Sequence, residues 1–276
     1  LRIDIENKDG SLIRSFTNNK KLTERNNTDK KNLMVGNPVL SNPNDIDNAL
    51  GSENIGSLYP KSGGNRLIWD MRYPGFKSFD GMVLYSSPNV GPKVTPGKYN
   101  LKMTFNNTVI TKELEIIKDP RVKTSQEDFE KQLEFLIEVR NEVSRANQKI
   151  IDIRKIKSDM SFIKDKTDNN ISLKTMIDDY LIDLSIIENN IHMTKNQSRQ
   201  DPLNFGIRIN NRIAFLLADS QRGDFAPTDQ SKEFFKYVKK ELDIQVDNLI
   251  EVINNHSQKI KDYIKSNKIE LISFEN

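Results

Sequence analysis

The chain changes character at Asp119-Pro120-Arg121. Before it, short alternating segments are punctuated by Gly, Pro and Asn; after it, no Pro or Gly occurs until Pro202, and apolar residues recur at helical spacing. A strand repeats every two residues and a helix every 3.6, so the two stretches cannot share one kind of layer. Two parts are expected. Residues 1–120 read as a small antiparallel β-sandwich domain of immunoglobulin or fibronectin type III kind, with a polar insert at 17–63. Residues 121–276 read as a helical bundle domain, an antiparallel four-helix bundle with long first and last helices.

In the first part, Leu1, Ile3 and Ile5 alternate with charged residues as in a half-buried strand. Lys8-Asp9-Gly10 is a turn, and Leu12 to Phe16 is the returning strand. Strands are expected at Arg66–Met71 and Met82–Tyr85, with Trp69, the only tryptophan, as a core anchor. Pro96-Gly97 suits a type II turn. Tyr99, Leu101, Met103 and Phe105 alternate with polar residues, Asn106-Asn107 is a two-residue hairpin turn, and Val109 to Ile117 returns.

In the second part, Thr124 and Glu127 have capping-box spacing. They open a stripe from Phe129 to Ile163, roughly 55 Å long at 1.5 Å per residue. Asp168-Asn169-Asn170 breaks it, and a second helix runs from about Ser172 to Thr194. Pro202 starts a shorter third, carrying Phe205, Ile209, Ile213, Leu216 and Leu217. Pro227-Thr228 starts the fourth, whose stripe includes Phe234, Val238, Leu242, Leu249 and Ile260. The ends of the two long helices are expected to project beyond the shared core and to expose apolar surface for a partner.

Composition excludes several classes of function. There is no cysteine among the 276 residues, so disulfide frameworks, thiolate zinc sites and thiol catalysis are out. No apolar run approaches the roughly 18 residues that a membrane span requires. The net charge of +3 comes from 42 basic and 39 acidic residues that are interspersed, without the basic stripe and interleaved aromatics of a nucleic-acid groove. The chain opens on a strand pattern without Met and is expected to be a piece of a longer protein.

Chemistry-bearing motifs are scarce. His192 and His256 sit among polar neighbours and are expected on the surface or rim of their helices. No HExxH, nucleophile elbow, P-loop or EF-hand loop occurs. Asp70 and Asp80 flank a Tyr-Pro-Gly turn, but a glycosidase needs two carboxyls converging on a cleft. Asp70 is expected instead to accept backbone N–H bonds in the turn after Trp69. Asp178-Asp179 is expected to be solvated. Asn26, Asn106 and Asn196 begin glycosylation sequons, as chance allows in an Asn-rich chain. The expectation is no catalytic residue, no cofactor site and no metal site.

One ordered set of motifs resembles a known family. Gly64-Asn65-Arg66, Trp69-Asp70-Met71-Arg72-Tyr73-Pro74, Phe79-Asp80-Gly81-Met82-Val83-Leu84, Gly91-Pro92, Pro96-Gly97-x-Tyr99 and Asp119-Pro120-Arg121 follow one another in this chain. Asp9-Gly10 with Ile13-Arg14-x-Phe16 precedes them, and Gln132, Arg140 and Ile153-Arg154 follow. The set resembles the C-terminal region of bacterial exported sortilin-like, BNR-repeat β-propeller proteins, often labelled glycosyl hydrolases. The resemblance implies an extracytoplasmic accessory module lying after a propeller. Neither a blade repeat nor an Asp-box is present here, so no catalytic residue carries over. The implied partners are the chain's own upstream propeller, other proteins, or further copies through the bundle, and not nucleic acid. The alternative is a carbohydrate-binding or glycosidase-associated module, which would need exposed aromatics; Tyr59, Tyr73, Phe76, Phe79 and Tyr85 are the candidates.

Overall fold

The computed structural model of the protein describes residues 1–18, 55–58, 60–167 and 170–269. Most of the insert at 17–63, Tyr59, the Asn26 sequon and the tail after Ile269 lie outside them.

Five strands form one sheet among the described residues: β1 (Arg2–Asn7), β2 (Leu12–Thr17), β3 (Ile55–Ser57), β4 (Gly97–Phe105) and β5 (Thr108–Ile116), in the order β3-β2-β1-β4-β5. β1, β2, β4 and β5 are antiparallel neighbours, and β3 joins β2 in parallel. The β1–β2 turn is where Gly10 takes a φ of 85°. The β4–β5 turn is the expected Asn106-Asn107 pair, with Asn106 at a φ of 49°. Ile5, Ile13, Phe16, Val94 and Tyr99 are the buried centre of this part, and Leu67, Trp69 and Tyr73 pack on it from outside the sheet.

The strands expected at 66–71 and 82–85 are not formed. An isolated bridge, Arg72 with Lys93, is the only ladder contact in that region. Two backbone bonds flank it, Tyr73 N to Pro92 O at 2.8 Å and Val94 N to Met71 O at 2.9 Å. Residues 74–90, here termed the strap, leave this bridge and lie on the helices. The alternation read as a second sheet layer is an extended chain whose two faces meet different neighbours.

The helices are α1 (Gln126–Lys166), α2 (Ile171–Ile191), a single turn α3 (Pro202–Phe205), α4 (Ile209–Asp219) and α5 (Asp229–Ser266). Their starts follow local chemistry. Ser125, one residue later than expected, caps α1 by accepting from Asp128 N. Asn170 caps α2 by accepting from Leu173 N, and Thr228 caps α5 by accepting from Ser231 N. The expected third helix is split by Gly206 at a φ of 76°, between α3 and α4.

The arrangement corrects the four antiparallel helices. Phe135 meets Phe235, and Lys239 reaches both Glu138 and Glu142, so α1 and α5 run parallel. Asn190 with Gln245, His256 with Asp183 and Tyr263 with Asn170 place α2 antiparallel to the far half of α5. Asn210 with Asn147 and Gln132 with the Ser220 carbonyl place α4 antiparallel to the near half of α1. The helices therefore make an up–down–up set of three lines, and the middle line is α2 and α4 end to end. Length explains this. α1 has 41 residues and α5 has 38, whereas α2 has 21 and α4 has 11. At 1.5 Å per residue neither short helix can flank the long ones alone, but the two in series can. Met160, Ile163, Tyr263 and Ile264 pack on the core near the far ends, which are covered by α2 and do not project bare.

In α1 the buried positions Leu136, Val139, Val143, Ala146, Ile150 and Ile153 follow steps of three and four, a coiled-coil seam. In α5 Phe235, not Phe234, is the buried ring, and Phe234 is turned outward. No described helix is long and apolar enough to cross a membrane.

Candidate functional site

The richest concentration of buried polar groups lies where the middle line breaks between α2 and α4 and the strap crosses. A strap outside any sheet carries backbone N–H and C=O groups without ladder partners, which must be satisfied if buried. Asparagine amides supply the partners that a neighbouring strand would have supplied. Asn211, on α4, accepts from Tyr85 N at 2.7 Å and donates to Tyr85 O at 3.0 Å. Asn147, on α1, donates to Lys77 O at 2.6 Å, and Ser144 accepts from Lys77 N at 3.0 Å. Within the strap, Asn89 pairs with both backbone groups of Phe76. One amide offers an acceptor and two donors, so it matches both polar groups of one residue. Phe76, held this way, is fully buried in the helical core.

A charged cluster finishes the joint. The Arg154 guanidinium donates to Glu188 Oε1 at 2.8 Å and to the Asp80 carbonyl at 2.7 Å, and lies 4.7 Å from the Phe79 ring. Lys157 Nζ donates to Glu188 Oε2 at 2.9 Å. Burial pushes the Glu188 carboxyl up, but the hydrogen bonds from Arg154 and Lys157 outweigh it and hold the group below its ordinary value. The other face of Phe79's surroundings is His192, whose ring is edge-on at 4.9 Å. His192 Nδ1 is 3.2 Å from Asn210 Nδ2, so that nitrogen accepts and the proton of the neutral ring sits on Nε2. Asn210 Nδ2 also donates to Asn147 Oδ1 at 3.0 Å, closing the network onto α1.

His192 corrects the surface expectation: it is 2 % exposed. Burial, with the Arg154 charge adding to it, lowers its pKa from 6.5 to about 4. The ring is therefore neutral and apolar-faced at neutral pH. His256 is half-buried, pairs with Asp183 at 2.8 Å and stacks flat on Tyr180 at 4.9 Å.

The other expected residues do not converge. Asp70 accepts from Arg72 N at 3.2 Å, as its turn position predicts, and faces the buried Arg14 guanidinium at 3.7 Å. Asp80 lies at the helical joint with an exposed side chain and contributes its carbonyl. Asp178 pairs with Lys164, and Asp179 is exposed. Trp69 packs on the sheet core and donates to Arg72 O at 3.1 Å. Among the aromatic candidates, Phe76 is buried, Phe79 and Tyr73 pack on separate cores, and Tyr85 is exposed by itself. Asn196 is buried, whereas Asn106 is exposed in its hairpin turn. Among the described residues, no three His, Asp or Glu side chains are grouped as a metal ion would require.

Asn147, Glu188 and Asn210 are the residues that sequence reasoning passed over. Each stands three or four residues from buried apolar positions of its own helix, Asn147 after Val143 and Glu188 after Leu184. A polar residue on an apolar stripe was the available signal, because such residues are buried only when paired.

Comparison with protein-family models, with curated proteins and with solved structures finds no match.

Proposed function

We propose that this chain is a non-catalytic accessory module of an exported sortilin-like β-propeller protein, its C-terminal part, which braces the propeller and mediates protein–protein assembly. In this reading the sheet, covered by Leu67, Trp69 and Tyr73, corresponds to the immunoglobulin-like sandwich of that family, and the helices to its bundle. The observation that carries it is how the converging polar groups are used. Asn147, Asn211 and Arg154 terminate on backbone atoms of the strap, and Glu188 is neutralised by two cations. These groups fix one body to another and leave no free nucleophile or base aimed at a cleft. A rigid joint between a sheet and long helices suits a brace, since a propeller leaning on the sheet would be held at a set angle to the helices.

Two measurements test this. Light scattering and chemical cross-linking, on the chain alone and mixed with a propeller of the same protein, are expected to show a stable complex; a strict monomer that cross-links to nothing would count against it. A polysaccharide-hydrolysis screen is expected to be blank. Turnover that disappears in Asp70→Asn would replace the accessory reading with an enzymatic one.

A further inference from the structure

Three buried side chains stand in single file between the strap and the end of α2, and one backbone atom sets their direction. The Lys77 carbonyl can only accept, so Asn147 must turn Nδ2 to it, at 2.6 Å. Asn147 Oδ1 is thereby left facing Asn210, whose Nδ2 donates to it at 3.0 Å. The second hydrogen on the same nitrogen is directed to His192 Nδ1 at 3.2 Å, which must therefore carry no proton. Asn147, Asn210 and His192 are all buried, so bulk water does not replace a lost partner. The remaining Asn210 atom, Oδ1, is buried without a hydrogen-bond partner among the described residues. While the ring is neutral this acceptor is orphaned. Once Nδ1 carries a proton, turning the amide over satisfies it.

We propose that the first half of the strap is seated only while His192 is neutral, and that acid lifts it from the helices without unfolding them. A proton taken from solvent onto Nδ1 turns the Asn210 amide, which brings its Oδ1 against Asn147 Oδ1. Asn147 then turns in its place, and the Lys77 carbonyl loses its donor. Residues 77–82 lift away, uncovering Phe79 and Met82, which pack on the helical core in the seated state. Phe76 and Tyr85, on either side, stay fixed by Asn89 and Asn211, whose amides do not titrate. Charges around the ring set the threshold. From α1, Arg154 opposes a second cation, with Lys157 close behind it; from α2, Glu188 favours one but already serves both of those. The strap brings the uncharged Phe79 ring, with the Asp80 side chain exposed, and α4 brings Asn210 and, at its start, Arg208. Burial and Arg154 keep the seated ring neutral down to a pH of about 4, whereas a ring open to water takes its proton near 6.5. Lifting is therefore least favoured above pH 6.5, and gains about tenfold for each pH unit below it until about pH 4.

The test is amide hydrogen exchange read by NMR on the 276-residue chain, corrected for the intrinsic pH dependence of exchange. Between pH 6.5 and 4.5 the protection of amides 77–82, led by the Lys77 N–H that Ser144 holds, is expected to fall at least about tenfold. At Tyr85 and in the middle of α1 and α2 it is expected to change less than about twofold over the same range. His192→Asn places a non-titrating acceptor where Nδ1 stood, and its strap amides are expected to stay protected at pH 4.5. A second readout needs no substitution: at pH 7 the nitrogen shifts of His192 are expected to be those of a bare Nδ1 and a protonated Nε2. Strap protection that does not fall, that falls equally at Tyr85, or that falls as far in His192→Asn would overturn the proposal, and so would a proton on Nδ1 at pH 7. None of these readouts depends on a propeller or any other partner, so the accessory reading stands or fails separately.

Discussion

Burial holds the His192 imidazole at a pKa of about 4, while an unfolded chain returns it to about 6.5. Between those values the unfolded state binds a proton that the folded state refuses. Stability contributed by this residue is therefore complete above pH 6.5 and falls as pH drops to 4, by about 3 kcal/mol in total. Glu188 acts in the same direction at lower pH, since its carboxyl is held below its ordinary value and loses its ion pairs on protonation. Urea titrations at pH 7, 5.5 and 4 should show the decline, and His192→Gln should flatten the upper part of it. A slope unchanged by that substitution would assign the pH dependence to other groups. Asn211→Ala leaves the Tyr85 N–H and C=O without their amide partner, an expected cost of about 1–3 kcal/mol. A midpoint within error of wild type would mean that water replaces the amide there.

At the scale of elements, the strap is the piece whose role the sequence concealed. Its bridge is tight: a Cβ at Gly91 would stand 1.9 Å from Tyr73 O and 2.5 Å from Pro74 O, both backbone atoms that cannot swing aside. Gly91→Ala should therefore displace the base of the strap and destabilise the protein by about 1–3 kcal/mol or more. Thermal unfolding would read this, and an unaltered Tm would show that the two chain segments have room to part. Phe76→Ala empties a fully buried ring site in the helical core, with an expected loss of about 3–5 kcal/mol. The helices themselves were legible, because propensity, caps and period agree over many turns. The strands at 66–71 and 82–85 were not. Period two reports only that alternate side chains face different environments, and here those environments are a sheet, three helices and water.

Across the whole molecule the two cores are tied by one continuous segment: residues 67–73 cover the sheet with Trp69 and Tyr73, and the strap that follows fills the helical core with Phe76. Trp69 fluorescence reports on the sheet and ellipticity at 222 nm on the helices. Their denaturation midpoints are expected to coincide, and Phe76→Ala is expected to shift both or to separate them. Two well-separated transitions in the unmodified chain would show that the strap does not couple the cores. The sequence by itself determined the three longer helices α1, α2 and α5, that Thr228 starts α5, and that Asn106 turns the last hairpin, because these depend on neighbours within a few residues. Only the tertiary structure decided that α1 and α5 are parallel, that α2 and α4 share one line, and that His192 is neutral and buried. Those outcomes depend on which apolar faces meet across long stretches of chain, and on asparagines whose hydrogen-bond partners lie more than sixty residues away.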